Sequence, residues 1–183
     1  MGVAQWLVAL IALQRIAELA YAQRNTRRLR AAGATEVGAR HYPMVVLLHA
    51  AWLATVALFV PADAARNWPL LALYALLQLG RIWVLVSLGG FWTTRILTLP
   101  QAPLVRRGPY RFCRHPNYAI VTAEIAILPL AFGAWRIALV FSIANAVILA
   151  WRIMVENRAL QGRPREPRHP PHSEPGRASV DPS

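Results

Sequence analysis

Residues 70–88 read LLALYALLQLGRIWVLVSL, nineteen positions holding a single charge, Arg81. The hydrocarbon core of a bilayer is about 30 Å thick, and a helix crosses it with roughly 20 mostly apolar residues. This stretch therefore reads as a membrane span, and it sets the scale for the rest of the chain. Four further runs of the same kind lie at 3–22, 44–60, 117–132 and 137–155. Over all 183 residues, 56% are hydrophobic and 15% charged, against roughly 25% charged in an ordinary soluble domain. The expected fold is an all-α integral membrane protein with five transmembrane helices, filling residues 1–161. Residues 162–183 hold six prolines and little apolar content, so they are expected to form a disordered Pro/Arg-rich tail. The first run lacks a basic leader and a small-residue cleavage site, and Arg15 and Glu18 interrupt it; it reads as a retained helix rather than a signal peptide.

The charge is lopsided. Twenty basic residues, all of them Arg, face eight acidic ones for a net +12. A nucleic-acid-binding domain would carry such a charge, but not five bilayer-length apolar runs, so the expected contact is with anionic lipid headgroups. Arg24, Arg27, Arg28, Arg30 and Arg40 follow the first run, and Arg95, Arg106, Arg107, Arg111 and Arg114 lie between the third and fourth. The opposite side offers only Arg66 and Arg136. By the positive-inside rule the N-terminus lies outside and the C-terminus in the cytoplasm. Trp6, Trp52, Trp68, Trp92, Trp135 and Trp151 fall mostly near span ends, where an interfacial aromatic belt would sit. The single cysteine, Cys113, excludes a disulfide framework and a thiolate metal site. His41, His49 and His115 lack ligand spacing, so no metal is expected.

Ionisable residues within a span are costly and mark function by default. Arg15 and Glu18, at i, i+3, can neutralise each other on one face of the first helix. Arg81 has no acid nearby in sequence, and either pairs with Glu124 or lines a polar cavity. Glu124 lies about 10 Å into the fourth run, counting 1.5 Å per residue from Asn117; it either pairs with Arg81 or Arg152, or faces a substrate as a base. Arg152 and Glu156, at i, i+4, form either a solvated helix end or a polar pocket wall, which Asn157 and Arg158 extend. His49, three residues before Trp52, is either a packing residue or a second candidate base.

Between the third and fourth runs stands Val105-Arg106-Arg107-Gly108-Pro109-Tyr110-Arg111-Phe112-Cys113-Arg114-His115-Pro116-Asn117-Tyr118. Gly108-Pro109 makes a turn, Pro116 drives His115 out of helical geometry, and Asn117 suits the N-cap of helix four. Free N–H groups at that helix start, flanked by Arg111, Arg114 and His115, suit an anion. A lipid phosphate and the carboxylate of a small polar cofactor both qualify.

The Gly-Pro-Tyr turn followed by Arg114-His115-Pro116-Asn117-Tyr118, ahead of a helical hairpin ending in Arg152-x-x-x-Glu156, resembles the isoprenylcysteine carboxyl methyltransferase family of integral membrane methyltransferases. The likeness covers roughly residues 70–160. It implies a cytoplasmic site for S-adenosylmethionine in the loop between helices three and four, and a lipophilic small-molecule acceptor entering from the bilayer. Carried over by residue, Tyr110, Arg114, His115, Pro116, Asn117, Tyr118, Glu156 and Asn157 become cofactor-binding candidates, with Arg152 beside them. The chain has Ala119 where the family often has Gly, Glu156-Asn157 where it often has paired glutamates, and a Pro/Arg tail where eukaryotic members carry aromatics. The segment Gly33, Glu36, His41-Tyr42-Pro43, His49 and Trp52, with Glu124 and the Pro129–Trp135 stretch, looks more like a bacterial branch that O-methylates alkylresorcinols or alkylpyrones beside type III polyketide synthases.

The resulting expectation is O-methylation of a phenolic or pyrone lipid. His41, Tyr42, His49, Trp52 and Arg81 would bind the acceptor. Glu124, Arg152, Glu156 and His49 would carry the chemistry, with Glu124 the slightly favoured base. The alternatives are an isoprenylcysteine-type carboxyl methyltransferase, an NADPH-dependent membrane reductase carrying a related motif, and a cationic lipid-binding scaffold without catalysis.

Overall fold

The computed structural model describes residues 1–39, 42–99 and 107–160. Five helices dominate it: α1 Val3–Ala31, α2 Tyr42–Phe59, α3 Trp68–Leu88, α4 Pro116–Leu130 and α5 Trp135–Leu160. Four of them are long and apolar enough to cross a membrane, and α4 is a shorter apolar helix. At 15 residues α4 is about 22 Å long, short of a full bilayer core. It packs between α3 and α5, so protein rather than lipid covers much of it.

Each helix boundary has a local cause. The Asn67 side chain caps α3 by accepting from Leu70 N at 3.1 Å, and Pro69 sits in the first turn, where its missing N–H costs nothing. Gly89, at φ +52°, ends the same helix, in a backbone region that glycine enters without steric cost. Pro116 begins α4 with His115 as its N-cap, two residues earlier than the expected cap at Asn117. A proline ring pre-sets φ for the first helical position, and His115 pays with φ −130° and ψ 57°. The α1 helix runs nine residues past the expected end at Ala22. Ala, Arg and Leu are strong helix formers, and the extension is held on the far side. The Asn25 side chain donates to Gly89 O at 3.2 Å and Trp92 O at 2.9 Å.

The helical architecture, as expected, dominates, and it carries one small addition. Thr35–Val37, after α1, and Ile96–Thr98, after α3, pair as a two-stranded antiparallel ribbon, with Thr35 opposite Thr98 and Val37 opposite Ile96. Glu36 on the first strand binds Arg95 at 2.6 Å and also pairs with Arg30. The Arg95 guanidinium lies 4.2 Å from the centre of the Tyr42 ring. The ribbon touches α5 and so ties the arginine-rich ends of three helices together.

The main core is built from Val8 and Ile11 of α1, Trp52 and Val56 of α2, Tyr74 of α3, and Val121, Ile125 and Leu128 of α4. A smaller cluster of Ala22, Val84 and Trp92 lies under Tyr110. Much of the outer surface is apolar: Leu10, Leu13, Leu47, Leu58, Leu79 and Val86 are all exposed, as a lipid-facing surface requires. Trp6, Trp68 and Trp135 are more than half exposed, whereas Trp52 and Trp92 are 1% and 4% exposed. Those two leave the expected aromatic belt and serve the core.

Candidate functional site

Six polar residues from three helices converge inside the bundle. Glu18 accepts from Gln14 at 3.1 Å and Arg81 Nε at 2.7 Å on one oxygen. Its other oxygen takes Arg15 at 3.1 Å and Arg81 Nη2 at 2.5 Å. Glu124 accepts from Gln78 at 2.8 Å, Arg15 at 2.7 Å and Arg81 at 3.3 Å. Two cations and two anions therefore cancel, which is the condition for keeping charge out of water. Of the two partners expected for Glu124, Arg81 is present and Arg152 is not; Arg15 takes that place. The reason is helix order: α1 and α3 bring their arginines to the same level as Glu124, while Arg152 lies a layer away at the end of α5.

The second cluster surrounds the start of α4. The Tyr118 hydroxyl donates to Glu156 and accepts from Arg152 Nε at 2.8 Å. Arg152 Nη2 donates to Thr94 O at 2.8 Å. The i, i+4 partners Arg152 and Glu156 thus communicate through Tyr118, not as a simple surface ion pair. His115 and Tyr118 stack with ring centres 5.2 Å apart and planes 8° from parallel, and His115 Nδ1 lies 3.9 Å from Glu156. Among the described residues, Asn117 Oδ1 and Asn157 Oδ1 are buried without a hydrogen-bond partner. Such orphaned acceptors are rare in folded chains; Asn117 sits in the first turn of α4 and lines the cavity described below.

The turn that presents this cluster is fixed from α3. Residues Gly108–Arg111 form a short 3-10 turn, and Arg107 Nε donates to Ser87 O at 2.9 Å. Gly108 has φ +57°, and a Cβ there would run into the Ser87 side chain. Tyr110 packs against the Ala22–Val84–Trp92 cluster. Burial, with the Glu156 charge adding to it, raises its phenol above the ordinary value, so Tyr110 presents a neutral O–H. Arg114 is exposed at the same rim, and Pro116 is buried beneath it.

A cavity of about 370 Å³ joins the two clusters. Arg15, Glu18, Arg81 and His49 line one end, Thr94, Asn117, Tyr118 and Arg152 the other, with apolar walls from α1, α2 and α5 between them. Ile16 and Val46 also line it and remain exposed on the outer surface, so the cavity reaches the lipid-facing side between α1 and α2. Tyr42 and Asn145 contribute to the wall.

Several expected residues are placed differently. Glu124 does not line the cavity: its carboxylate is 1% exposed and filled by two arginines and an amide. Trp52 is packed in the core and is not a wall residue, because its face of α2 turns towards α1 and α4. His41 and the 162–183 tail lie outside the described residues. Arg15 and Glu18, read in the sequence as a local pair, prove to line the cavity, and Gln78, Thr94 and Asn145 were not anticipated at all. Gln78 carried a usable signal, as a polar residue one turn from Arg81 in an apolar helix. Thr94 contributes a backbone carbonyl, which no sequence pattern announces.

Residues 70–162, which hold α3, the turn, α4 and α5, match the isoprenylcysteine carboxyl methyltransferase (ICMT) family. Over 159 residues the chain is 39% identical to the uncharacterized protein YpbQ of Bacillus subtilis, covering 85% of this chain and 95% of that one. An uncharacterized protein of Haemophilus influenzae is 28% identical over 157 residues, 80% of this chain and 88% of its own. No solved structure matches. The matched segment is the one that builds the Tyr118–Arg152–Glu156 cluster, and on that match the chain belongs to the isoprenylcysteine carboxyl methyltransferase family of membrane methyltransferases.

Proposed function

We propose that this protein transfers a methyl group from S-adenosylmethionine to an oxygen of a lipophilic phenolic or pyrone acceptor. The observation that carries the reading is the cavity: one apolar-walled space with a hydrogen-bonding rim at one end and an opening to lipid on its side. A water-soluble donor and a greasy acceptor need such a meeting place. In this reading the arginine-rich ends face the cytoplasm of a bacterial inner membrane, following the positive-inside rule.

The rim fits the donor. Asn117 lines the cavity and its Oδ1 lacks a hydrogen-bond donor among the described residues, which the ammonium or amino group of S-adenosylmethionine would supply. Arg114 would face its carboxylate, and the parallel His115 and Tyr118 rings offer a flat surface beside a purine. When bound, S-adenosylmethionine supplies a methyl group on a cationic sulfur that is already a good leaving group. What the chain must add is alignment and exclusion of water. The Tyr118–Arg152–Thr94 chain of hydrogen bonds fixes the rim against α5 and the segment before the ribbon. Val121 and Leu149 help to keep the space between rim and charged cluster apolar.

A phenol or hydroxypyrone with an alkyl tail fits the shape, its ring in the cavity and its tail leaving between α1 and α2. Type III polyketide synthases make acceptors of this kind, and such an enzyme would be the functional partner. Purified protein in detergent, titrated with S-adenosylhomocysteine and with NADPH, tests the donor; labelled-methyl transfer to a lipid extract tests the acceptor. Binding of the first and not the second, with label in a phenolic or pyrone lipid, is expected. Absence of affinity for S-adenosylhomocysteine overturns the proposal.

A further inference from the structure

We infer that Arg28 and Arg107 hold the phosphate of an anionic phospholipid at the end of α3, and that this lipid braces the turn that presents the rim. The site itself stands on geometry and charge; only its effect on the methyl donor rests on the methyltransferase reading above.

The charge inventory leads there. Of the eight acidic residues, five lie among the described residues. Glu18 and Glu124 are enclosed by the ion-pair network. Glu36 holds Arg30 and Arg95, and Glu156 faces Tyr118 and His115. Asp63 follows α2, at the opposite end of the bundle. Arg24, Arg27, Arg28, Arg107, Arg111 and Arg114 are all exposed and have no acidic partner among the described residues. Six like charges at one membrane face call for anions from outside the chain, and the anions present at that level are lipid headgroups.

Two of the six are set in place. Arg107 donates from Nε to Ser87 O at 2.9 Å. The Arg28 guanidinium lies so close over Gly90 that a Cβ there would run into it. Asn25, three residues before Arg28, anchors that part of α1 to Gly89 O and Trp92 O. Ser87 and Gly90 are three residues apart, so two oriented guanidinium groups flank the same end of α3. Covering the last carbonyls of a helix accounts for Arg107 Nε. It leaves the Nη groups of both arginines for an oxyanion, which a guanidinium fork is shaped to bind.

The same helix offers a bed for the acyl chains. Leu79, Ile82, Trp83 and Val86 are each more than half exposed and, at i, i+3, i+4 and i+7, form one stripe. Ser87 follows Trp83 by one turn, so the stripe ends beside the two arginines. The Trp83 indole nitrogen lies 3.2 Å from where a Gly108 Cβ would sit, next to Arg107. A cationic head above an apolar stripe matches a phospholipid and not a soluble phosphate. Arg107 directly precedes the Gly108–Arg111 turn, so a lipid phosphate shared with Arg28 ties α1 to that turn.

The experiment measures thermal unfolding of the intact chain in phosphatidylcholine vesicles, with and without about a quarter phosphatidylglycerol, alongside S-adenosylhomocysteine affinity. The anionic lipid should raise Tm by about 3 °C or more, as a ligand of the folded state alone does. It should tighten S-adenosylhomocysteine binding at least about fivefold, a coupling of ordinary size. Gly90→Ala keeps every charge but displaces the Arg28 guanidinium, and Arg28→Gln removes it. Each should lose most of both responses, with affinity in pure phosphatidylcholine held within about threefold. Arg27→Gln takes the same charge from the same helix and should keep both responses. Glycerol phosphate added to phosphatidylcholine vesicles should not replace the lipid. No Tm response to phosphatidylglycerol, a full response in either Gly90→Ala or Arg28→Gln, an equal loss in Arg27→Gln, or replacement by glycerol phosphate overturns the site. A Tm response without tighter S-adenosylhomocysteine binding overturns the bracing of the turn. If Gly90→Ala fails to fold, Arg28→Gln against Arg27→Gln decides. Failure of S-adenosylhomocysteine to bind under any condition, with a Tm response that follows Arg28, removes the methyltransferase reading and leaves the lipid site standing.

Discussion

Replacing Glu124 by Gln separates a structural from a chemical role for the one carboxylate that is almost completely buried. Four ion contacts hold the cluster, and Glu124 makes two of them, at 2.7 Å to Arg15 and 3.3 Å to Arg81. All four side chains are at most 12% exposed. Removing one partner of a buried pair costs about 3–5 kcal/mol, because the other charge is left uncompensated. Arg15 and Arg81 keep Glu18, so the lower end, about 3 kcal/mol, applies. For a chain of this size that is a fall in Tm of roughly 6–12 °C. The double variant Glu124→Gln/Arg81→Gln restores neutrality and should recover part of the loss, giving a coupling of about 1–3 kcal/mol in the cycle. The assay is thermal unfolding in detergent, alongside turnover per folded molecule at a temperature where the variant is intact. That turnover should stay within a few-fold of the parent. A variant of unchanged Tm that has lost about 10² in rate would show Glu124 to be the proton acceptor and would refute the reasoning from its place in the ion-pair network.

Other expectations follow from the rim and its turn. Tyr118→Phe removes the hydroxyl that links Arg152 to Glu156; at roughly 1.5–3 kcal/mol for hydrogen bonds to charged groups, S-adenosylhomocysteine affinity should fall about 10- to 100-fold, measured by calorimetric titration. Asn117→Leu removes a buried acceptor in the cavity wall that has no partner among the described residues; S-adenosylhomocysteine affinity should fall about tenfold while Tm holds or rises. Gly108→Ala forces a side chain into a left-handed backbone and towards Ser87. It should cost about 1–2 kcal/mol from backbone strain alone, read as a lower Tm together with weaker S-adenosylhomocysteine binding.

The sequence shows some of these features openly and hides others, for physical reasons. The α3 helix was legible almost to the residue because a continuous apolar run has one stable answer in a bilayer. The last nine residues of α1 were not, because hydropathy falls at Arg24 while helix propensity does not, and the extension depends on Asn25 reaching carbonyls at Gly89 and Trp92. The ribbon was invisible because each strand is three residues long and gains its pairing from a loop some sixty positions away. The rim was largely legible because Gly108, Pro109 and Pro116 act locally: two prolines and a glycine dictate a turn and a helix start whatever surrounds them. The charged cluster was half legible. Hydropathy gives each helix its length but neither its rotation nor its neighbours, so Glu124 could be assigned a partner only by guess.

One constraint nevertheless narrows that guess. A charge within a span must be met by another at the same depth, since neither water nor lipid can do so. Arg15 and Glu18 cancel within α1, which leaves Arg81 of α3 and Glu124 of α4 as the unmatched pair among mid-span groups; Arg152 is close enough to a helix end to find solvent. Neutrality therefore demands that α3 and α4 adjoin at that level, as they do. The observed sharing goes further, because each arginine touches both glutamates. Sharing gives both oxygens of each carboxylate a donor inside the protein, so the demand for neutrality at that depth is met by one four-membered network rather than by two separate pairs, and the levels of α1, α3 and α4 are fixed against one another by the same contacts.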